Sequence, residues 1–253
     1  MIKIAIIGNG NVGSTLNKAF SKAKNVQLVG VINSRLDSFE IGQVRNTKKE
    51  SLSVADSPDL YILAVSDDAI VEVSKKLKGT KSLVVHTSGS VAMKEMPVAR
   101  KGVLYPLQTF SKESLLDLRN VPLCIETEKE EDFKILQDLA TALSKEVYKI
   151  SSKQRAKLHL AAVFVNNFVN HMYKIGSDIC LNNDLSFSML KPLISETAKK
   201  VEHLSPETAQ TGPARRADTG TIEKHLDLLS DTAHKEIYSL MTRSIQKTYE
   251  KEL

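Results

Sequence analysis

Tryptophan is absent from the 253 residues, and aromatic residues together make up only 5%. No basic run is interleaved with aromatics, so the stacking platforms that grip single-stranded nucleic acid are missing. The formal charge of +5 does not restore that class, because the lysines are spread along helical segments and alternate with glutamates. The expected surface is basic and solvated, suited to phosphate-bearing small molecules, with no nucleic-acid partner. Cysteine is nearly absent. Cys124 and Cys180 lie far apart and neither belongs to a C-x-x-C pair, which argues against a disulfide framework or a zinc site. No H-x-x-x-H spacing or Cys/His grouping occurs, so no metal is expected. No apolar stretch approaches the ~20 residues of a membrane span. A strand pattern follows Met1 almost at once, leaving no room for a signal or transit peptide. The expectation is a cytoplasmic protein with free thiols and no membrane partner.

What is present begins with Ile4-Ala5-Ile6-Ile7-Gly8-Asn9-Gly10-Asn11-Val12-Gly13. Ile4 to Ile7 form an apolar, mostly β-branched run, the pattern of a strand buried on both faces. Leu16, Ala19 and Phe20 then recur at helical spacing. The glycines fit G-x-G-x-x-G in its required place between strand and helix. Gly8 permits the tight turn, Gly10 lets the backbone approach a pyrophosphate, and Gly13 allows close packing of helix on strand. The helix N-terminus presents unpaired N–H groups to the anion. Gly8, Asn9, Gly10, Asn11, Val12 and Gly13 are therefore candidate dinucleotide ligands.

The second strand, Val26 to Ile32, runs into Asn33-Ser34-Arg35. An Asp or Glu at this strand end would bind the ribose hydroxyls of NAD, and none is there. Ser34 can donate to a 2′-phosphate and Arg35 can clasp it with a charged fork. NADP is expected over NAD, with Arg45, Lys48 and Lys49 as possible sources of positive potential. A short strand at Leu52–Val54 is possible. Further strands are read at Leu60–Val65, Ser82–Val85, Val103–Tyr105, Val121–Ile125 and Val147–Ile150, with helices after Ser66-Asp67-Asp68 and around Phe133–Leu143. The alternation predicts an α/β fold with a mostly parallel, doubly wound sheet over residues 1–150. Dinucleotides bind outside the carboxyl ends of such strands. Val65, Ser66, His86 and Thr87 join the candidate cofactor contacts, and Ser88 and Gln108 the candidate substrate contacts. Asp67 or Asp68 reads as a helix cap.

Strand signals stop after Ser151. Residues 151–253 read as an all-helical substrate and dimerisation domain, its first helix capped by Ser151 or Ser152. That helix is apolar around Leu158 to Val165, which predicts burial and a homodimer through the helical domain. Asn166, Asn167 and Asn170 follow, with Asn166 and Asn170 on one face. Their amides can bind a substrate or a loop of the same protein. Gln210-Thr211-Gly212-Pro213-Ala214-Arg215-Arg216-Ala217-Asp218 sets two arginines and an acid in a turn. Gln210 and Arg215 are candidate substrate contacts there, the alternative being an Arg–Asp pair in a capped turn. His86, at a strand's carboxyl end, is a candidate acid or base, or a histidine that shapes its loop.

GNGNVG, NSR, AVSDD, HTSGS, YPLQTF, AAVFVNNF and QTGPARRAD together resemble a family of Rossmann-like proteins with a C-terminal helical domain, to which no settled reaction is attached. That family is similar to deazaflavin-dependent NADP reductases, pyrroline-5-carboxylate reductases and the β-hydroxyacid dehydrogenases of the 6-phosphogluconate dehydrogenase-like superfamily. The resemblance implies a Rossmann domain, NADP binding and a dimer through the helical domain. One departure stands out. β-Hydroxyacid dehydrogenases carry a proton-transferring lysine about a turn before an Asn, and here that place falls on Ala162 or Val163. Asn166 and Asn167 remain beside His86 as candidate catalytic residues. The expected activity is an NADP-dependent oxidoreductase acting on a small molecule in the interdomain cleft. The alternative is a nucleotide-sensing protein that keeps the fold without turnover.

Overall fold

The computed structural model describes residues 1–32, 58–111 and 116–250. The chain divides into two compact units, Met1–Asn167 and Phe168–Leu253. Asn33, Ser34 and Arg35, the basic residues Arg45, Lys48 and Lys49, and the short strand at Leu52–Val54 lie outside the described residues.

The first unit is built on a seven-stranded sheet of order β2-β1-β3-β4-β5-β6-β7. Its strands are β1 (Ile2–Ile7), β2 (Val26–Ile32), β3 (Leu60–Leu63), β4 (Leu83–His86), β5 (Lys101–Pro106), β6 (Leu123–Thr127) and β7 (Val147–Lys149). All neighbours are parallel except β5 and β6. The helices α1 (Asn11–Phe20), α2 (Ile70–Lys75), α3 (Glu130–Thr141) and α4 (Ser152–Ala162) complete it. The period of two along β1 explains the two cores. Ile4 and Ile6 join Leu16 and Phe20 of α1 and Leu136 and Leu139 of α3 on one face. Ala5 and Ile7 join Tyr61, Leu63, Ile70 and Val73 on the other. Each fully buried aliphatic or aromatic side chain contributes roughly 1.5–3 kcal/mol, which is why the first strand has no polar position between Ile4 and Ile7.

A third, smaller cluster decides where the first unit ends. Val103, Tyr105 and Cys124 pack with Leu158 of α4. α4 starts at Ser151, whose hydroxyl accepts from the N–H of Gln154 while the Gln154 side chain returns a bond to the Ser151 N–H, a capping box. Its first turn is tied down by Arg155, which is 1% exposed. The helix that a change in composition assigns to a second domain after Ile150 thus begins inside the first unit. The division falls within a π-helical turn, Val163–Phe168. The apolar middle of this helix is not buried in the single chain. Leu160 is 52% and Val165 74% exposed.

In the second unit, described by itself, α5 (Val169–Leu181), α6 (Lys191–His203), α7 (Pro206–Ala209), α8 (Thr219–Leu228) and α9 (Thr232–Tyr249) follow in order. Asp218 and Asp231 cap α8 and α9 by accepting from the N–H groups of Thr221 and His234. No strand occurs in this unit among the described residues. An apolar cavity of about 290 Å³ is lined by Met172, Ile179, Pro213, Tyr238, Met241 and Ile245 among others. Among the described residues no helix is long and apolar enough to cross a membrane.

Candidate functional site

The glycine turn forms as its residue types require. Gly8 has φ +108°, and a Cβ there would lie 2.2 Å from the Ala64 carbonyl oxygen. A Cβ on Gly13 would lie 2.1 Å from the Gly8 oxygen. These two glycines let β1, β3 and α1 close on one another. Gly10 differs, because among the described residues a Cβ there would meet no atom within 4 Å. Gly10 is also the N-cap of α1, and no side chain caps that helix. The first-turn N–H groups beside Gly10 are a cradle that can hold an anion at the carboxyl end of β1. The Asn11 amide is engaged elsewhere, donating to the Phe110 carbonyl at 2.9 Å. That bond joins the GNGNVG and YPLQTF segments.

The carboxyl ends of β3 and β4 complete this edge. Val65 is half-buried and Ser66 exposed after β3. Thr87 is buried, with its N–H and hydroxyl both directed to the Leu63 carbonyl. The Ser88 hydroxyl accepts from the N–H groups of Ser90 and Val91, each at 3.1 Å. The Ser90 hydroxyl donates to Asp67, linking the two loops. Ser88 thus works as a loop cap. Asp67 opens a short 3₁₀ turn, Asp67–Ala69, whose N-cap is Ser66. Gln108 is exposed, and its side chain accepts from the N–H of Thr109.

His86 is fully buried. Its Nδ1 accepts from the N–H of Ser88 at 3.2 Å, and among the described residues Nε2 has no partner. Burial, then the Arg155 guanidinium, holds its pKa down at about 3 against the opposing pull of Asp67. This histidine is therefore neutral at physiological pH and shapes its loop. The expectation of a protonatable acid or base at His86 yields to its desolvation.

Reading the sequence missed a group of side chains gathered beside the same loop. The Tyr105 hydroxyl is 3.1 Å from Nδ1 of His159 on α4. Their rings meet edge to face. Burial and the neighbouring Cys124 raise the Tyr105 pKa, with Arg155 opposing, so it stays a phenol at neutral pH. One turn before His159, Arg155 donates to Glu126 of β6 at 2.5 Å and to the Val91 carbonyl at 2.5 Å. Ser152 donates to the same carboxylate from its N–H at 2.8 Å and its hydroxyl at 2.7 Å. The signal was present in the spacing. Arg155, His159 and Val163 stand four residues apart and share a helix face.

The remaining candidates are placed as follows. Asn166 and Asn167 are exposed on the π turn, a local geometry frequent at functional sites. Asn170 is exposed on α5 in the second unit. In that unit the Arg215 guanidinium donates to the carbonyls of Glu207 at 3.2 Å and Gln210 at 2.9 Å and stacks on Tyr249. The Gln210 amide donates to the Thr211 carbonyl. Arg215 therefore fastens its own turn, and Asp218 caps the next helix. Among the described residues no group of three or more His, Cys, Asp or Glu side chains is placed to hold a metal ion.

The strand–glycine turn–helix unit on a mostly parallel sheet defines the first 110 residues as a Rossmann-like domain, and they match that domain family. Residues 121–245 match a domain of unknown function, DUF2520. The chain belongs to the family that joins these two domains. It is 36% identical to a candidate NADP oxidoreductase of Bacteroides fragilis, over 97% of this chain and 98% of that one, with a TM-score of 0.83. The fold is also that of a Plasmodium falciparum pyrroline carboxylate reductase solved with NADP bound, at 15% identity over 97% and 98% of the chains, with a TM-score of 0.58. An Aspergillus terreus reductive aminase solved with NADPH and ethyl-5-oxohexanoate shares it at 12% identity over 99% and 93%, with a TM-score of 0.67. No curated protein matches the chain.

Proposed function

We propose that the protein is an NADP-dependent oxidoreductase acting on a small molecule at the carboxyl edge of its sheet. The observation that carries this reading is Gly10. Among the described residues it caps α1 without a side-chain bond and a Cβ on it would meet no atom within 4 Å, while Gly8 and Gly13 are used up by internal packing. That cradle fits a pyrophosphate. The 36% identical Bacteroides fragilis protein, named as a candidate NADP oxidoreductase, supports the same reading. Asn9, Gly10, Asn11, Val12 and Gly13 hold the pyrophosphate, largely through backbone N–H groups. Val65, Ser66 and Thr87 border the cofactor, and Ser34 and Arg35 select NADP. The bound nicotinamide supplies hydride chemistry. Asn166 and Asn167 offer exposed amides to a substrate. Leu160 and Val165, apolar and exposed in one chain, are covered by a second copy in a homodimer. A cytoplasmic location belongs to the same reading.

The test is a fluorescence titration with NADPH and NADH. Tight NADPH binding with much weaker NADH binding supports the assignment. Binding of neither overturns it. Val163 in the place of a lysine favours a second reading, a sensor that binds nucleotide without turnover. A protein that binds NADPH but reduces no member of a broad carbonyl and imine panel would fit that reading.

A further inference from the structure

The proton-transferring lysine of similar dehydrogenases has no counterpart at Ala162 or Val163, yet one helical turn earlier on the same face stands His159. The geometry points to His159 as the group that gives and takes the proton of the reaction, with Tyr105 as its positioning residue. This inference rests on the oxidoreductase reading above and deepens it.

The local structure is built to present this imidazole. Gly89 of the HTSGS loop lies against the ring, where a Cβ would come within 2.6 Å of Nδ1 and 2.7 Å of Cγ. The loop approaches so closely only because position 89 lacks a side chain. Tyr105, near the carboxyl end of β5, fixes the other side through its hydroxyl at 3.1 Å from Nδ1. The buried Arg155–Glu126–Ser152 network anchors the preceding turn of α4, so the helix that carries His159 is held to the sheet. Among the described residues Nε2 of His159 has no hydrogen-bond partner, and the residue is half-buried rather than sealed. His86 on the same loop is the contrast, fully buried and held neutral. The other titratable or charged groups around the pair are Arg155 on α4, Glu126 and Cys124 on β6, and Asp67 after β3.

Reduction of a C=N or C=O bond needs a hydride equivalent at carbon, which a bound nicotinamide cofactor supplies, and a proton at nitrogen or oxygen. An imidazole can carry that proton on one ring nitrogen while the other stays hydrogen-bonded. In its charged form His159 donates Nδ1–H to the Tyr105 oxygen and keeps Nε2–H for a ligand. As the substrate is reduced, the Nε2–H bond breaks and its electron pair stays on Nε2. A new N–H or O–H bond forms on the substrate. Neutral His159 then regains a proton from water at Nε2. Oxidation runs the same transfer backward. Tyr105 keeps Nδ1 paired throughout, which fixes Nε2 as the reacting nitrogen.

The test uses the full chain and needs no identified substrate. Histidine ring signals are followed by NMR against pH in the free protein and with NADPH or NADP⁺ bound, His159 being assigned by His159→Gln. Oxidation puts a positive charge on the nicotinamide. A His159 beside it then titrates at lower pH in the NADP⁺ complex than in the NADPH complex, by on the order of one pH unit. Tyr105→Phe should leave nucleotide affinity within about twofold while moving the His159 midpoint and weakening its response to the cofactor's charge. If both nucleotides bind and the His159 midpoint is the same in the two complexes, the inference is overturned and the pair is structural. If Tyr105→Phe leaves the His159 titration unchanged, the positioning role falls. If neither nucleotide binds, the oxidoreductase reading fails first and takes this inference with it.

Discussion

Gly89 and His159 touch so closely that a methyl group on the glycine would sit 2.6 Å from Nδ1 and 3.0 Å from Cβ of the histidine. A loop from β4 and a helix from beyond β7 are thereby fitted to each other through one missing side chain. The clash is with a side chain, which can turn away, so Gly89→Ala should still fold. We expect a cost of about 1–2 kcal/mol and loss of the Tyr105–His159 hydrogen bond. In a His159→Ala background the cost of Gly89→Ala should shrink by half or more, because only the Cβ contact remains. Denaturant unfolding of the double-mutant cycle reads this directly. Additive losses would show that the two residues are not coupled.

The three glycines of the first turn should respond differently to the same change. Gly8→Ala forces a Cβ against the Ala64 carbonyl and a left-handed backbone on alanine, and Gly13→Ala drives a Cβ into the Gly8 carbonyl. Backbone atoms cannot step aside, so each variant should lose at least about 3 kcal/mol. Gly10→Ala meets no atom of the described residues within 4 Å. Its melting temperature should stay within a few degrees of the parent, while NADPH affinity falls tenfold or more as the methyl group fills the anion cradle. A Gly10→Ala protein that binds NADPH as tightly as the parent would remove the pyrophosphate from this turn.

Arg155 is 1% exposed and the Glu126 side chain 15%, with 2.5 Å between them. Removing one partner strands the other charge in a low-dielectric setting. Arg155→Met should therefore destabilise the protein by about 3 kcal/mol. Adding Glu126→Gln should restore part of that loss, since the uncompensated carboxylate is gone. Urea unfolding of the two variants separates the charge effect from lost packing. If the second substitution restores nothing, the guanidinium acts through packing and its bond to the Val91 carbonyl rather than through its charge pair with Glu126.

The parts of the fold that are local in sequence were readable. The Ile4–Ile7 run, the glycine spacing and the helix cap read at Ser151 or Ser152 each carry their own explanation, and the cap falls on Ser151. What was hidden depends on tertiary packing. Whether α4 belongs with the sheet turns on Leu158 meeting Tyr105 and Cys124, residues far apart in the chain. The candidate site divides in the same way. The glycine turn proposed to hold the pyrophosphate is local in the chain and is legible. The choice between His86 and His159 is not, because both are single histidines in apolar surroundings. Among the described residues both rings are paired at Nδ1 and unpaired at Nε2, and what separates them is burial, complete at His86 and partial at His159. Arg215 likewise reads as an anion ligand in the sequence, and only the structure shows that one nitrogen of its guanidinium holds the carbonyls of Glu207 and Gln210.

His86 should leave its mark on acid stability. Its folded pKa is held at about 3 by burial and by Arg155, below the value of 6.5 expected for the unfolded chain. The folded state therefore excludes a proton that the unfolded state binds at any pH between those values. Above pH 6.5 both states are neutral at this residue and the stabilisation is fully present. As pH falls from 6.5 toward 3 the unfolded state gains the proton alone, and stability drops with a slope of up to about 1.4 kcal/mol per pH unit. Below the folded pKa the loss is complete and the slope from this group vanishes. His86→Gln removes the titration while leaving an amide oxygen able to accept from the Ser88 N–H. The variant should be less stable than the parent at pH 7.5, and its curve should be flatter between pH 6.5 and 4, so the two converge on acidification. Urea unfolding at half-unit pH steps across this range measures both curves. Parallel curves would mean that His86 is protonated in the folded state and that its loop is held by something other than a neutral imidazole.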